Sequence, residues 1–155
     1  MKEIVELLTN KKETISVMES CTGGALANAI TNIPGASEVF NYGAVTYSND
    51  YKIKMGVPKE VIDKYTVYSV EVANEMSKTI SKYTNSNYGI GITGKLNRVD
   101  KHNPYGEDNI VYISIYHNDK YYNATVETIK ETREENKELV IDTVIYLLKS
   151  IIKEN

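Results

Sequence analysis

Cysteine and histidine are scarce in this chain of 155 residues, and that scarcity excludes several kinds of site. The single cysteine, Cys21, cannot form an internal disulfide and leaves too few thiolates for a cysteine-rich structural zinc site. Neither of the two histidines, His102 and His117, has a metal-ligand partner at motif spacing. Both fall in or beside predicted loops, which disfavours a Ser-His-Asp triad. We therefore expect neither a metal ion nor another cofactor.

Long apolar runs and an excess of positive charge are also missing. No apolar stretch approaches the length of a membrane span, and the N-terminus lacks the hydrophobic region of a signal peptide. The net charge of −3 argues against a nucleic-acid surface, which needs clustered lysine and arginine. The length and ordinary composition favour a single globular domain over residues 1–155. The sequence thus predicts a cytoplasmic protein that engages neither nucleic acid nor a membrane.

What the sequence does contain is a turn rich in hydroxyl and glycine residues, at positions 20–24, between a strand-like run and a helix-like run. Gly23 and Gly24 let the backbone approach a ligand closely, and the free N–H groups of a helix's first turn point towards that spot. Ser20 and Thr22 add hydroxyl groups, so this turn could supply a nucleophile or bind phosphate. The local pattern alone favours a plainer role, in which one of these hydroxyls is the helix N-cap.

The periodicity of apolar residues predicts an α/β fold. Helices are predicted over residues 2–10, 25–31, 58–64, 70–82 and 131–153, and strands over 14–18, 39–47, 88–93, 110–116 and 121–128. One or two further helical turns fit residues 50–55, and 94–109 is the one long irregular stretch. In the second strand, the side chains available for burial are Phe40, Tyr42, Val45 and Tyr47. The last two strands form a hairpin, so the order α-β-α-β-α-α-β-β-β-α predicts a three-layer α/β/α sandwich with a mixed β-sheet.

Short stretches spread over the chain resemble one family when they are taken together and in order. They are Glu19-Ser20-Cys21-Thr22-Gly23-Gly24, Pro34-Gly35-Ala36-Ser37, Gly43-Ala44-Val45-Thr46-Tyr47-Ser48-Asn49, Lys52, Gly56-Val57-Pro58, Val67, Ser69, Glu71-Val72-Ala73, Met76 and Ile92-Thr93-Gly94. This ordered set is similar to the CinA C-terminal domain, from the first predicted helix to the last. The resemblance implies an α/β/α domain in its stand-alone, PncC-type form.

The same resemblance implies nicotinamide-nucleotide amidase activity. Such enzymes hydrolyse the carboxamide of nicotinamide mononucleotide to nicotinate mononucleotide and ammonia, in pyridine-nucleotide recycling. The partner implied is therefore a small-molecule nucleotide substrate. The family also implies that the protein forms a homo-oligomer.

Amide hydrolysis without a metal needs a nucleophile, a base and donors for the oxyanion. Ser20, Thr22 and Ser48 are the candidate nucleophiles, and the sequence does not decide between them. Lys52 is the candidate base, because a helix that begins after Ser48 places the two residues one turn apart on one face. A lysine acts as a base only if burial or nearby positive charge lowers its pKa. Alternatively, Ser48 is only a helix N-cap and Lys52 is a solvated surface residue.

Other residues are expected to support this reaction. Tyr47 could donate a proton or stack on the pyridine ring, although strand alternation points it away from the serine that follows. The backbone N–H groups of residues 22–24 could hold the oxyanion or the substrate phosphate. Thr93 and Gly94 match the family motif and are expected to bind substrate. Arg133 is a candidate ligand for phosphate or carboxylate, with a solvated arginine at the helix start as the alternative.

The segment after Gly94 departs from the family pattern, in which a glycine-rich loop follows. Here the residues are Lys95-Leu96-Asn97-Arg98-Val99-Asp100-Lys101, with no glycine before Gly106. One interpretation is that Lys95, Arg98 and Lys101 bind the substrate phosphate by charge, where the family uses backbone amides. The other is a catalytically degenerate member that serves as a nucleotide-binding or protein-interaction module.

Overall fold

A five-stranded mixed sheet lies at the centre of the protein, whose computed structural model describes residues 1–97, 101–102 and 104–155. The strands are β1 (Ile15–Glu19), β2 (Phe40–Val45), β3 (Tyr88–Gly94), β4 (Ile110–His117) and β5 (Lys120–Glu127). They lie in the order β2-β1-β3-β4-β5. β1 pairs in parallel with β2 and β3, whereas β4 pairs antiparallel with β3 and β5. The predicted mixed sheet with its terminal hairpin is confirmed.

Helices cover both faces of this sheet. In the described part of the chain they are α1 (Lys2–Lys11), α2 (Ala25–Thr31), α3 (Asn49–Lys54), α4 (Lys59–Tyr65), α5 (Val70–Thr84) and α6 (Arg133–Glu154), with a 3₁₀ turn at Ala36–Glu38. The predicted α/β/α sandwich is confirmed. It has one helix more than the predicted order of elements, because α3 is a helix of its own between β2 and α4. None of the helices in the described ranges is long and apolar enough to cross a membrane.

The alternation of side chains along β1 separates two apolar cores. Ile15 and Val17 lie in the larger core, with side chains of α1, α2 and α6. Met18 points to the other face and packs with α4 and α5 in a smaller core. Glu19 continues the series of Ile15 and Val17, so its carboxylate is directed towards the α2 side of the sheet.

Two glycines of β3 let α5 pack closely on the sheet. A Cβ atom on Gly89 would overlap the carbonyl oxygen of Ser77, and one on Gly91 would overlap that of Ala73. These neighbours belong to the helix backbone, which cannot move aside as a flexible side chain would. The hydroxyls of Ser77 and Ser114 are hydrogen-bonded at 2.9 Å and join α5 to β4. The helix is therefore held at a short, fixed distance from the sheet.

The prediction that Tyr42, Val45 and Tyr47 of the second predicted strand are available for burial is wrong, whereas Phe40 packs partly buried against the larger core. Tyr42, Val45 and Tyr47 are 38%, 53% and 64% exposed, and Phe40 is only half-buried. The reason is that β2 is an edge strand of the sheet, where the covering layers end. Tyr42 instead contacts the ring of Tyr83, with the ring centroids 5.5 Å apart.

The two connections that leave β1 and β2 diverge at the end of the sheet where the parallel strands finish. β1 connects through α2 to its neighbour β2, and the chain then returns through α3, α4 and α5 to β3 on the other side of β1. These two connections run over opposite faces of the sheet, since α2 lies in the larger core and α5 in the smaller one. Such a divergence is where α/β sheets usually bind ligands. Ser20, Thr46 and Lys95 each follow one of the three parallel strands at this edge.

Candidate functional site

A serine hydroxyl and a lysine amine meet at the carboxyl end of β1. Ser20 directly follows that strand, and Lys52 lies in α3; the two residues are 6% and 1% exposed. The Lys52 Nζ donates hydrogen bonds to the Ser20 Oγ at 3.0 Å and to the Thr46 carbonyl oxygen at 2.7 Å. The interpretation of Lys52 as a solvated surface residue is therefore wrong. The structure brings together two of the predicted catalytic side chains.

Ser48 has a different environment from Ser20. It is exposed, and its hydroxyl accepts a hydrogen bond at 3.3 Å from the Tyr51 N–H as the N-cap of α3. The helix does begin after Ser48, and the Lys52 N–H donates to the Ser48 carbonyl oxygen at 3.2 Å. The amine at the end of the Lys52 side chain, however, is bonded to Ser20 and Thr46. The geometry thus favours the N-cap role for Ser48.

Burial changes the acid–base behaviour of Lys52. Loss of solvation lowers the pKa of its amine from 10.5 to about 8, and the neighbouring Cys21 opposes this shift. The neutral amine is therefore accessible near physiological pH, as a base requires. In that form it can still donate to the Thr46 carbonyl oxygen, while its lone pair accepts the Ser20 proton.

Glu19 is a buried carboxylate that sequence reasoning did not single out. Its Oε1 accepts hydrogen bonds from the Thr22 hydroxyl at 2.7 Å and the Leu26 N–H at 2.9 Å, and its Oε2 accepts one from the Ala27 N–H at 3.0 Å. The carboxylate thereby satisfies the first-turn donors of α2, where negative charge is favoured. The prediction that Ser20 or Thr22 is the N-cap is wrong, because Gly24 occupies that position without a side-chain cap. The sequence signal that could have identified Glu19 is an acidic residue placed directly before a turn that leads into a helix.

The turn itself depends on its two glycines. Gly23 and Gly24 have φ values of 63° and 97°, in the left-handed region that favours glycine. Cys21, which lies between β1 and these glycines in the sequence, is buried, as expected for a small apolar residue. Burial raises the pKa of its thiol to about 12, so the thiol stays protonated and is a poor nucleophile. The backbone N–H groups of Thr22 and Gly24 make no backbone hydrogen bond to any residue of the described ranges.

Arg133 and Tyr47 meet above this turn. Arg133 is the first residue of α6, and its Nη1 donates to the Leu96 carbonyl oxygen while its Nη2 donates to the Tyr47 hydroxyl at 3.5 Å. Both side chains remain exposed. The arginine therefore links the segments that follow β2 and β3, rather than being merely solvated as one alternative held.

Three residues predicted to bind substrate, at the end of β3 and directly after it, make contacts within the protein. The Thr93 hydroxyl is buried and donates to the Val67 carbonyl oxygen at 2.9 Å. The Lys95 side chain is 1% exposed, and its Nζ donates to Asp108 Oδ1 at 3.1 Å and to the carbonyl oxygen of Gly106 at 3.3 Å. Gly94 leaves no room for a Cβ, because Ile110 and Val111 of β4 lie against it. Arg98 lies outside the described residues.

A groove of about 820 Å³ lies beside this site, between α2 and α6. Its walls are formed by Ala25, Asn28, Ala29, Asn32, Arg133, Glu134, Lys137, Glu138, Ile141 and Asp142. In the part of the chain that the structure describes, no three His, Cys, Asp or Glu side chains are placed together to hold a metal ion. The charged and amide side chains of the groove walls could contact a polar organic ligand.

The family of this chain follows from a comparison of its sequence with family models. The model described as the CinA C-terminal domain matches residues 1–152. The chain belongs to the CinA C-terminal domain family. This match confirms the similarity to the CinA C-terminal domain that the motif around Ser20 and the later stretches indicated. It also agrees with the α/β/α fold that this similarity implied.

Relatives and solved structures agree with membership of the CinA C-terminal domain family. A protein of Clostridium botulinum (strain Langeland) is 44% identical over 124 residues, 77% of this chain and 29% of that protein. One of Clostridium perfringens (strain SM101) is 50% identical over 96 residues, 61% of this chain and 23% of that protein. Both carry the name "Putative competence-damage inducible protein", and this chain matches less than a third of their length.

Two solved structures share the CinA fold. A CinA superfamily protein from Klebsiella pneumoniae has a TM-score of 0.91 and 18% identity, covering 99% of this chain and 96% of that chain. A competence/damage inducible protein from Agrobacterium tumefaciens has a TM-score of 0.82 and 26% identity, covering 97% and 90%. The fold is therefore kept where most of the sequence has changed.

Proposed function

We propose that this protein is a metal-independent amidase that deamidates nicotinamide mononucleotide to nicotinate mononucleotide and ammonia, with Ser20 as nucleophile and Lys52 as base. The observation that carries the proposal is the 3.0 Å hydrogen bond between the buried Lys52 amine and the Ser20 hydroxyl. The substrate is the one that the family resemblance implies. Thr22 is also buried and donates to the Glu19 carboxylate, but that carboxylate already accepts hydrogen bonds from two N–H groups of α2. Ser48 is exposed and caps α3, so the geometry favours Ser20 among the three candidates.

The reaction proceeds in two steps. Neutral Lys52 takes the Ser20 proton as the Oγ attacks the carboxamide carbon, and the resulting ammonium then gives that proton to the amide nitrogen, which leaves as ammonia when the C–N bond breaks. A water molecule attacks the acyl-enzyme and gives one proton to Lys52, which passes that proton to the Ser20 Oγ as the ester bond breaks and the carboxylic acid is released. The sum is amide plus water to carboxylic acid plus ammonia.

The surroundings supply the further groups that acyl transfer needs. The N–H groups of Thr22 and Gly24 are available to the oxyanion, since neither makes a backbone hydrogen bond in the described structure. The Thr46 hydroxyl is buried beside Lys52 and has no hydrogen-bond partner in the described chain. Tyr47, positioned by Arg133, offers an exposed ring on which the pyridine can stack.

The test is ammonia release from nicotinamide mononucleotide by the purified protein and four variants. Ser20→Ala and Lys52→Ala should each lower kcat by at least about 10³-fold, because each removes a group that the first step requires. Lys52→Arg should be equally inactive, since an arginine keeps the charge but cannot lose its proton. Ser48→Ala is the matched serine control and should keep most of the activity. Melting temperatures of all four variants separate loss of chemistry from loss of fold.

The competing interpretation, a degenerate member that only binds a nucleotide or a partner, rests on the altered segment after Gly94. It requires that the wild-type protein release no ammonia while the mononucleotide still raises its melting temperature. Full activity of Ser20→Ala would instead overturn the choice of nucleophile.

A further inference from the structure

Lys137 is a positively charged residue beside the glycine turn, and neither the fold nor the proposed reaction steps use it. It lies in α6 one helical turn after Arg133 and is half-buried. A Cβ atom placed on Gly23 would have the Lys137 Nζ as its neighbour, at 3.6 Å. No carboxylate of the described residues forms an ion pair with this amine. Its amine therefore lies beside the turn without a described carboxylate in ion-pair contact.

This amine lines the groove at a place close to the nucleophile. The Gly23 N–H donates to the Ser20 carbonyl oxygen at 3.0 Å, so Gly23 and Ser20 lie in one tight turn. Arg133 forms part of the groove wall and also contacts Tyr47, which places this end of the groove next to the site. A ligand with its carboxamide at Ser20 can thus extend past Gly23 towards Lys137.

The charge of the groove is mixed along its length. Three carboxylates line it as well: Glu134, Glu138 and Asp142. Asp142 lies five residues beyond Lys137, which is about 7.5 Å further along the axis of α6. Glu134 lies at the same end as Arg133 and Lys137, whereas no cation of the groove lining lies beyond Lys137 towards Asp142. An anionic group is therefore less disfavoured at the end beside Gly23 than at the Asp142 end.

The other described cations near the site are already engaged. Lys95 donates to Asp108 and to a backbone carbonyl, and its side chain is almost fully buried. Arg133 donates to the Leu96 carbonyl oxygen and the Tyr47 hydroxyl. Of Lys95, Arg133 and Lys137, the last is thus the cation without another described partner. Phosphate binding by Arg98 and Lys101 stays a prediction.

We propose that Lys137 binds the phosphate of the substrate and makes the enzyme select a mononucleotide over the corresponding nucleoside. This inference rests on the proposed amidase function and names the group that recognises the non-reacting end of its substrate. A charge-assisted hydrogen bond to phosphate acts on the phosphorylated substrate alone. Its loss therefore changes the ratio of two specificity constants rather than the chemistry at Ser20.

The experiment compares kcat/KM for nicotinamide mononucleotide and nicotinamide riboside in the wild type and in Lys137→Met. We expect the variant to lose about 10- to 100-fold with the mononucleotide and less than about threefold with the riboside. Lys137→Arg should restore most of the preference, because it restores a cation that binds phosphate. Lys120→Met, which removes an exposed lysine at the tip of the β4–β5 hairpin, is the matched control and should leave both constants unchanged.

The outcomes separate the two proposals. Wild-type protein without activity on either compound refutes the proposed function itself. An active wild type whose Lys137→Met variant loses the same factor on both compounds, or on neither, overturns the role of Lys137 and leaves the amidase function standing. Inorganic phosphate gives a second measurement that does not depend on turnover of either compound. It should raise the melting temperature of the wild type, and it should raise that of Lys137→Met less.

Discussion

Lys52 shows how one buried amine connects stability with chemistry. The protein buries its side chain, and this loss of solvation lowers its pKa to about 8. The same burial that makes the amine a base near neutral pH also disfavours its charged form in the folded state. Stability and activity should therefore both depend on pH through this one residue.

The stability effect has a definite sign. Between the folded pKa of about 8 and the unfolded value of 10.5, the unfolded chain holds a proton at Lys52 that the folded chain has released. The stability of the wild type should therefore rise across that interval, by about 3 kcal/mol from this residue. Lys52→Met lacks this contribution. The free energy of unfolding of the variant minus that of the wild type should therefore be greatest at neutral pH and should become smaller towards pH 10.5. Urea unfolding of both proteins between neutral pH and pH 10.5 measures this difference. A difference in the free energy of unfolding that does not change with pH would contradict the burial of a titrating amine.

At the scale of elements, α2 and α5 are positioned by different devices. Glu19 accepts hydrogen bonds from two first-turn N–H groups of α2 and from the Thr22 hydroxyl, so strand, turn and helix are tied at one carboxylate. α5 instead approaches β3 over two glycines that leave no space for a methyl group. The first device orients the turn that carries Ser20, and the second fixes the layer on the opposite face.

The close contact of α5 predicts an asymmetry between glycines. Gly91→Ala should destabilise the protein by about 2 to 3 kcal/mol, because its Cβ would meet the backbone of α5. Gly43→Ala in the edge strand is the matched control, since its Cβ would meet only the side chains of Val17 and Phe40. We expect a smaller loss there, as side chains can shift. Equal losses in chemical denaturation would argue against the close packing of α5 on β3.

At the scale of the whole molecule, the sheet order decides which residues share the site. The carboxyl ends of three parallel strands lie at one edge, and α3 and the start of α6 bring Lys52 and Arg133 to that same edge. Residues far apart in sequence thus meet because the connections from β1 diverge over opposite faces. Self-association and a cytoplasmic location stay predictions.

The layers of the fold and the position of the site could be predicted from the sequence. The exposure of some side chains and the pairing of others could not, for physical reasons. Apolar periodicity and the final hairpin were enough for the layers, and the motif around Ser20 marked the site. The exposure of Tyr42 was missed because strand pattern does not reveal which strand is at the edge. The pairing of Lys52 with Ser20 rather than Ser48, and of Lys95 with Asp108, depends on tertiary contacts that local spacing does not contain.

The most direct test of the central claim is the pH dependence of kcat/KM for ammonia release from nicotinamide mononucleotide, measured between about pH 6 and 10. If neutral Lys52 activates Ser20, the wild-type value should rise about tenfold per pH unit on the acid side and level off near pH 8. Ser20→Ala should stay at background throughout. A wild-type profile without this rise, or release that survives in Ser20→Ala, would contradict the Ser20–Lys52 mechanism.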